Sequence, residues 1–189
     1  MSRQSQPILV LMPPSPSIYQ QLLGADFQKL GPILQRVHGP ETRVLASGKV
    51  SVVYGRGWIV LLLNKLMKVP PANPGVQLRL EIQRNANSET WIRDFGGKPL
   101  ITQQWAEDEL FIEAVGGVKM AMRLRVAEGF LHFDPVHTKA MGIKVPKWMQ
   151  ISVAANVRER ENGWEIFVET RSALLGLLFQ YSGFIALEA

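Results

Sequence analysis

Arg93 and Glu113 are the charged residues of this chain best placed to do chemistry. Arg93 alternates with Glu89, Trp91 and Phe95 on one face of an extended segment, and Glu113 sits between Phe111 and Val115 on one face of another. If those aromatic faces turn inward, a guanidinium turns inward with them, and a buried guanidinium needs a partner. An Arg93–Glu113 pair answers that need, and so does the anionic group of a ligand. The plain alternative buries the opposite face, Thr90, Ile92 and Asp94, or leaves Arg93 in a purely structural ion pair.

A second candidate is Gly55-Arg56-Gly57, which stands ahead of an apolar helix. Backbone N–H groups and Arg56 could hold a phosphate or carboxylate there. The Lys-Ser/Thr of a phosphate loop is missing, so an ordinary strand-to-helix turn explains the same residues. A third is His132, Asp134 and His137, as half of a metal site or as an acid–base pair. Pro135 is expected to break the strand before His137, and no further ligand stands at metal-site spacing. The expectation is a solvent-facing pair, with no metal and no cofactor.

Met120, Met122 and Met141, with Trp105 and Trp148, could line an adaptable apolar pocket. Residues of the same types at the same spacing also build a core. The candidate ligand-binding set is therefore Arg93, Trp91, Glu113, Arg56, Trp105, Met120 and Met122. No catalytic residue is assigned. Neither a helical zinc motif nor a Gly-x-Ser-x-Gly nucleophile turn occurs, and with no cysteine there is no thiolate nucleophile and no disulfide.

The elements that must position these residues are mostly strands. Residues 76–84 read VQLRLEIQR, strict alternation with Val76, Leu78, Leu80 and Ile82 on one side. Further strands are expected at 44–54, 89–95, 100–105, 110–115, 119–126, 130–137, 151–160, 164–170 and 175–187. The last hairpins turn at Asn162-Gly163. Ser17-x-x-Gln20 has the form of a capping box opening a helix that Gly31-Pro32 divides in two. Residues 58–68 read as a helix apolar nearly all round. The expected fold is α+β: one large, curved antiparallel meander of about eight or nine strands, with the N-terminal helices and the apolar helix packed on its concave side. Residues 1–16 are expected to form a flexible arm and 17–189 a single domain.

The formal net charge is +5, yet the basic residues are mixed with acidic ones, as in Arg158-Glu159-Arg160-Glu161. That mixing describes a solvated face better than a nucleic-acid stripe, so nucleic acid is not an expected partner. No apolar run reaches membrane-spanning length, and the expected location is the cytoplasm. Peripheral membrane contact stays open through residues 58–68 and through Lys119, Arg123 and Arg125.

Several motifs together resemble a bacterial domain-of-unknown-function family. They are Tyr19-x-x-Leu22-Leu23-Gly24, His38-Gly39, Gly48 with Gly55-Arg56-Gly57, Glu89-x-Trp91-x-Arg93-x-Phe95-Gly96-Gly97, Asn162-Gly163-Trp164, and Gly176 with Tyr181-x-Gly183. Members of that family stand alone or sit behind a saccharopine-dehydrogenase-like domain. The resemblance implies no established activity and points loosely to metabolism. Three functions follow as expectations. The first is a binding module holding an apolar or amphipathic small molecule between sheet and helices. The second is an enzyme, or the substrate-binding domain of an oxidoreductase-like system, using Arg93 with His132, His137 or Asp134. The third is a peripheral membrane or protein-docking module.

Overall fold

A computed structural model describes residues 15–128, 130–146 and 150–188. Most of the expected N-terminal arm, and Trp148, lie outside the described residues.

Ser17 caps α1 (Ile18–Leu23) as a reciprocal box. Its hydroxyl accepts the Gln20 backbone N–H at 3.1 Å, and its own N–H donates to the Gln20 side chain at 2.9 Å. A 3-10 turn (Gly24–Lys29) leads to α2 (Pro32–Val37), where Pro32 occupies the first turn. The Glu159 carboxylate accepts the Ile33 N–H at 3.0 Å, filling the otherwise unsatisfied N-terminus of α2.

The chain then runs β1 (Arg43–Tyr54), α3 (Trp58–Leu66), β2 (Asn73–Arg84), β3 (Glu89–Phe95), β4 (Pro99–Glu107), β5 (Leu110–Val115) and β6 (Val118–Ala127). It continues through β7 (Phe130–Ala140), the short β8 (Ile143–Lys144), β9 (Ile151–Arg160), β10 (Gly163–Ser172) and β11 (Gly176–Leu187).

The expected open, curved sheet with helices on its concave side is corrected. Ten strands close into an antiparallel β-barrel, and β8 lies outside it, paired only with β7. Around the wall the order is β6-β5-β4-β3-β2-β1-β11-β10-β9-β7, and β7 returns to β6. Closure has a physical cause. Strongly twisted strands coil the sheet until its edges meet, and pairing those edges satisfies the N–H and C=O groups that an open edge leaves free. The first and last strands pair from Ala46↔Leu187 to Tyr54↔Phe179.

Glycine lets these two strands approach at the bend. A Cβ at Gly48 would lie 2.0 Å from the Phe184 carbonyl oxygen, and one at Gly183 would lie 2.3 Å from that of Lys49. The β7–β9 seam is the weak part of the wall, with Leu131↔Val157 its one paired position among the described residues.

Pro135 does not break β7, as the sequence led us to expect. The strand continues to Ala140, and the ladder shifts register between Ala121 and Met122 where β6 faces Pro135. A bulge absorbs the missing N–H donor.

Alternation sorts the barrel into an apolar inside and a polar outside. Leu78, Leu80 and Ile82 are buried, whereas Gln77 and Gln83 are exposed. A lipid-embedded barrel has the reverse pattern, with apolar residues outward. No helix among the described residues is long and apolar enough to cross a membrane.

The helices close the two ends instead of lying on a concave face. The α1–α2 segment plugs the end where β4 meets β5: the Tyr19 ring packs 5.3 Å from Phe111, and its hydroxyl donates to Gln104 Oε1 at 3.1 Å. α3 sits at the opposite end. Val60 and Asn64 anchor it, and the Asn64 amide donates to the Leu178 carbonyl at 2.9 Å.

Candidate functional site

Inward-facing positions on neighbouring strands bring a polar group together inside an apolar wall. β3 contributes Trp91 and Arg93, β4 Thr102 and Gln104, β5 Glu113, and β11 Tyr181. Tyr19 and His38 join them from the helical plug. These side chains border an internal cavity of about 100 Å³, whose apolar lining includes Met67, Met120 and Phe133. An engineered apolar cavity of about 150 Å³ accepts benzene, so this space suits a ring or a short chain.

The polar side chains form one connected network. Tyr19 donates to Gln104 at 3.1 Å, and Gln104 Nε2 donates to Glu113 Oε1 at 3.0 Å. Arg93 Nη2 lies 3.5 Å from the same Glu113 oxygen, and Arg93 Nη1 donates to Thr102 Oγ1 at 2.9 Å. The guanidinium also stands over the Trp91 ring at 4.9 Å, a cation–π contact. Arg93 and Glu113 retain 11% and 13% side-chain exposure, so both are nearly dry yet still reach free space.

The electrostatics favour a charged guanidinium and neutral phenols in this network. Burial works against the charge on Arg93, but Tyr181, Glu113 and Tyr19 outweigh it and raise the guanidinium's pKa. Burial, reinforced by Glu89 and Glu113, holds the Tyr19 hydroxyl well above the usual phenol range. Burial likewise raises Tyr181, against the pull of Arg93. Both phenols therefore stay neutral and able to donate.

A second buried cluster lies beneath Trp91. Its indole N–H donates to Glu89 Oε2 at 3.1 Å, while Arg84 Nε stands 3.0 Å from Glu89 Oε1 without a well-angled hydrogen bond. Arg84 also donates to the Glu41 carbonyl at 2.6 Å and to the Val37 carbonyl. Burial raises the Glu89 pKa despite Arg84 and Trp91. His38 stacks on Trp91 at 5.7 Å and meets the Tyr19 ring at 4.1 Å, tilted by 41°. Burial, and then Arg84, push its pKa down to about 3, so the imidazole is neutral. Its Nδ1 has no partner among the described residues.

The other candidate residues are distributed as follows. Trp91, Arg93, Glu113 and Met120 line the cavity. Trp105 does not: it faces outward beneath the Lys119 ammonium at 5.2 Å and donates to Glu107 at 3.0 Å. The parity of β4 turns Gln104 inward, and Trp105 must then point out. Met122 is buried in the core but does not line the cavity: it keeps the inward phase of Met120 and pairs with Phe111, further toward the plugged end. Arg56 is exposed on the turn before α3, and Met141 is exposed at the same end. His132 and Asp134 lie on the outer face, where Asp134 pairs with Arg125 at 3.1 Å. Their separation from Arg93 by the barrel wall removes the joint acid–base site. No group of three metal-ligating side chains occurs among the described residues.

Tyr19, His38, Thr102, Gln104 and Tyr181 were not anticipated as site residues. Tyr19, His38 and Tyr181 belong to the motifs quoted above, but nothing in their local spacing indicates a shared interior. The barrel brings them together from the plug and the last strand.

Fold and site together define a closed antiparallel β-barrel with a charged, hydrogen-bonded network set in an otherwise apolar interior. The chain belongs to the family described as Domain of unknown function (DUF4166), whose family model matches residues 30–185. No curated protein and no solved structure matches it.

Proposed function

We propose that the barrel is a binding module for a small apolar or amphipathic molecule, held in the interior cavity with its polar head at Arg93. One observation carries the reading: a nearly dry guanidinium borders free space, and its facing carboxylate stands at the long distance of 3.5 Å. Thr102 and Glu113 engage only part of a group that offers five N–H donors. A carboxylate, sulfonate or carbonyl head would use the rest, and Met120, Phe133 and Met67 would pack around the body.

The motif resemblance supports a ligand from bacterial metabolism, with this barrel acting alone or beside a saccharopine-dehydrogenase-like domain. An enzyme built on His132, His137 or Asp134 is not favoured, because Asp134 is exposed on the outer face and Arg93 is inside.

The test compares two single-ring probes of similar size, anionic benzoate and neutral benzyl alcohol, with binding read by calorimetry. Both should enter the wild-type interior. Arg93→Met should weaken the anionic probe by roughly 10- to 100-fold, as expected for a lost charge-assisted hydrogen bond, and leave the neutral one nearly unchanged. Equal loss of both, or no entry by either, contradicts the assignment.

A further inference from the structure

α3 turns an apolar side away from the protein. Trp58, Leu61, Leu62 and Lys65 fall at i, i+3, i+4 and i+7 on one helix face. Trp58 is 74% exposed, Leu61 54% and Leu62 57%. The opposite face, with Val60 and Asn64, holds the helix to the barrel end. The helix is apolar on both sides, so holding one face to the barrel leaves a second apolar face to the surroundings. Met141 and Leu174 on turns of the same end, and Ile143 on β8, are also exposed.

Charge separates the two ends of the barrel in a way that composition conceals. Around α3 the loops of residues 55–72, 96–98, 116–117, 141–146 and 173–175 carry Arg56, Lys65, Lys68, Lys98 and Lys144, and not one acidic residue. The sequence holds no Asp or Glu between Glu41 and Glu81. The loops and helices of the plugged end carry Asp26, Glu41, Asp108, Glu109, Glu128 and Glu161 against Lys29 and Arg36. The molecule is therefore electrically polarised along the barrel axis, cationic where the apolar helix lies.

We infer that this end docks on an anionic lipid bilayer surface, with Trp58, Leu61 and Leu62 entering the headgroup region and the surrounding lysines meeting lipid phosphates and carboxylates. Exposed apolar side chains on an end whose connecting segments carry five cations and no acidic residue match what interfacial helices use, and each basic residue near the surface adds to the attraction. Lys65 lies next to Leu61 and Leu62, where its alkyl stem can run along the apolar face while its ammonium reaches the headgroups. The opposite sign at the plugged end orients the barrel before contact. Screening confines the attraction to the cationic end once the molecule is close. The inference stands on the outer surface and does not depend on what the cavity holds.

Co-sedimentation of the full chain tests it, using phosphatidylcholine vesicles and vesicles with one third of that lipid replaced by phosphatidylserine. The protein should pellet with the anionic vesicles, remain in solution with the neutral ones, and be released by high salt. Lys65→Gln and Lys68→Gln should each weaken binding by about fivefold. Trp58→Ser combined with Leu61→Ser should abolish it. All four positions are exposed, and an unchanged thermal melt confirms that each variant folds. Failure to pellet with either vesicle, or equal binding to both, overturns the inference. So does a shift from dimer to monomer on Trp58→Ser in the absence of lipid, which would assign the face to a second copy of the chain.

Discussion

The Arg93 guanidinium meets the Glu113 carboxylate at 3.5 Å inside the barrel, across the intervening strand β4, with Thr102 and Gln104 of that strand completing the contact. The pair is too buried to be solvated and too loosely joined to satisfy all of its donors. Such pairs respond sharply to the loss of one member.

Removing either partner alone should therefore be costly. Glu113→Leu leaves Arg93 charged and uncompensated, and should lower unfolding free energy by about 3–5 kcal/mol. The double variant Arg93→Met/Glu113→Leu should recover most of that loss. Urea unfolding of the wild type, both single variants and the double variant gives the coupling. Additive losses would show that the two groups do not act as a pair.

Acid should weaken the fold through His38. Its folded pKa, about 3, lies below the ordinary value of 6.5, so the unfolded chain takes up the proton first. The contribution of the neutral imidazole is complete above pH 6.5 and lost as pH falls toward 3, at up to about 1.4 kcal/mol per pH unit. Glu89 acts in the opposite sense, because its raised pKa lets the folded state accept a proton earlier. His38→Phe keeps a flat ring between Tyr19 and Trp91. It should flatten the slope of stability against pH between 6.5 and 5, read from urea midpoints. An unchanged slope would assign the acid sensitivity elsewhere.

Closure of the barrel depends on the close approach of β1 and β11. Gly48→Val would drive side-chain atoms into the Phe184 carbonyl, and should cost about 3 kcal/mol or prevent folding. Val50→Ala, in the same strand, should cost about 1–2 kcal/mol by loss of buried area alone. Thermal melts rank the two, and a milder effect at Gly48 would refute the tight approach.

α3 is held to the barrel end largely by Val60 and by Asn64, whose amide reaches the Leu178 carbonyl. Asn64→Ala should release about 1–3 kcal/mol of local stability. Hydrogen exchange of the α3 amides should then quicken by at least fivefold, while β2 and β3 keep their protection. Uniform acceleration across the barrel would show that α3 is not a separately opening unit.

What could be read in the residues was local. Alternation located Leu78, Leu80 and Ile82 on the inside of β2. For Arg93 and Glu113 alternation defined the two faces but not which is buried, and the barrel turns both residues inward. The capping box at Ser17 has the form its residues suggest. Closure was not legible, because β1 pairs with β11 across almost the whole chain and no local pattern records that contact. The inside of β4 was misjudged for a related reason. Trp105 is apolar and Gln104 polar, so hydropathy alone favours the wrong parity, and only the network to Tyr19 and Glu113 explains a buried Gln104. Pro135 was misjudged because an extra residue of β7, Val136, forms a bulge beside it, and a bulge lets a strand continue without changing its composition. α3 has the composition of a core helix but lies on an end cap, because a closed barrel leaves no concave face for it to cover.

Native mass spectrometry of the full chain, purified without organic solvent or denaturant, tests most directly whether the barrel holds an amphipathic ligand at Arg93. A ligand retained there should add a discrete mass to the wild-type protein, disappear on denaturation, and be strongly depleted from folded Arg93→Met. A bare polypeptide mass for both proteins, with an interior that admits neither anionic nor neutral probe, would contradict the account.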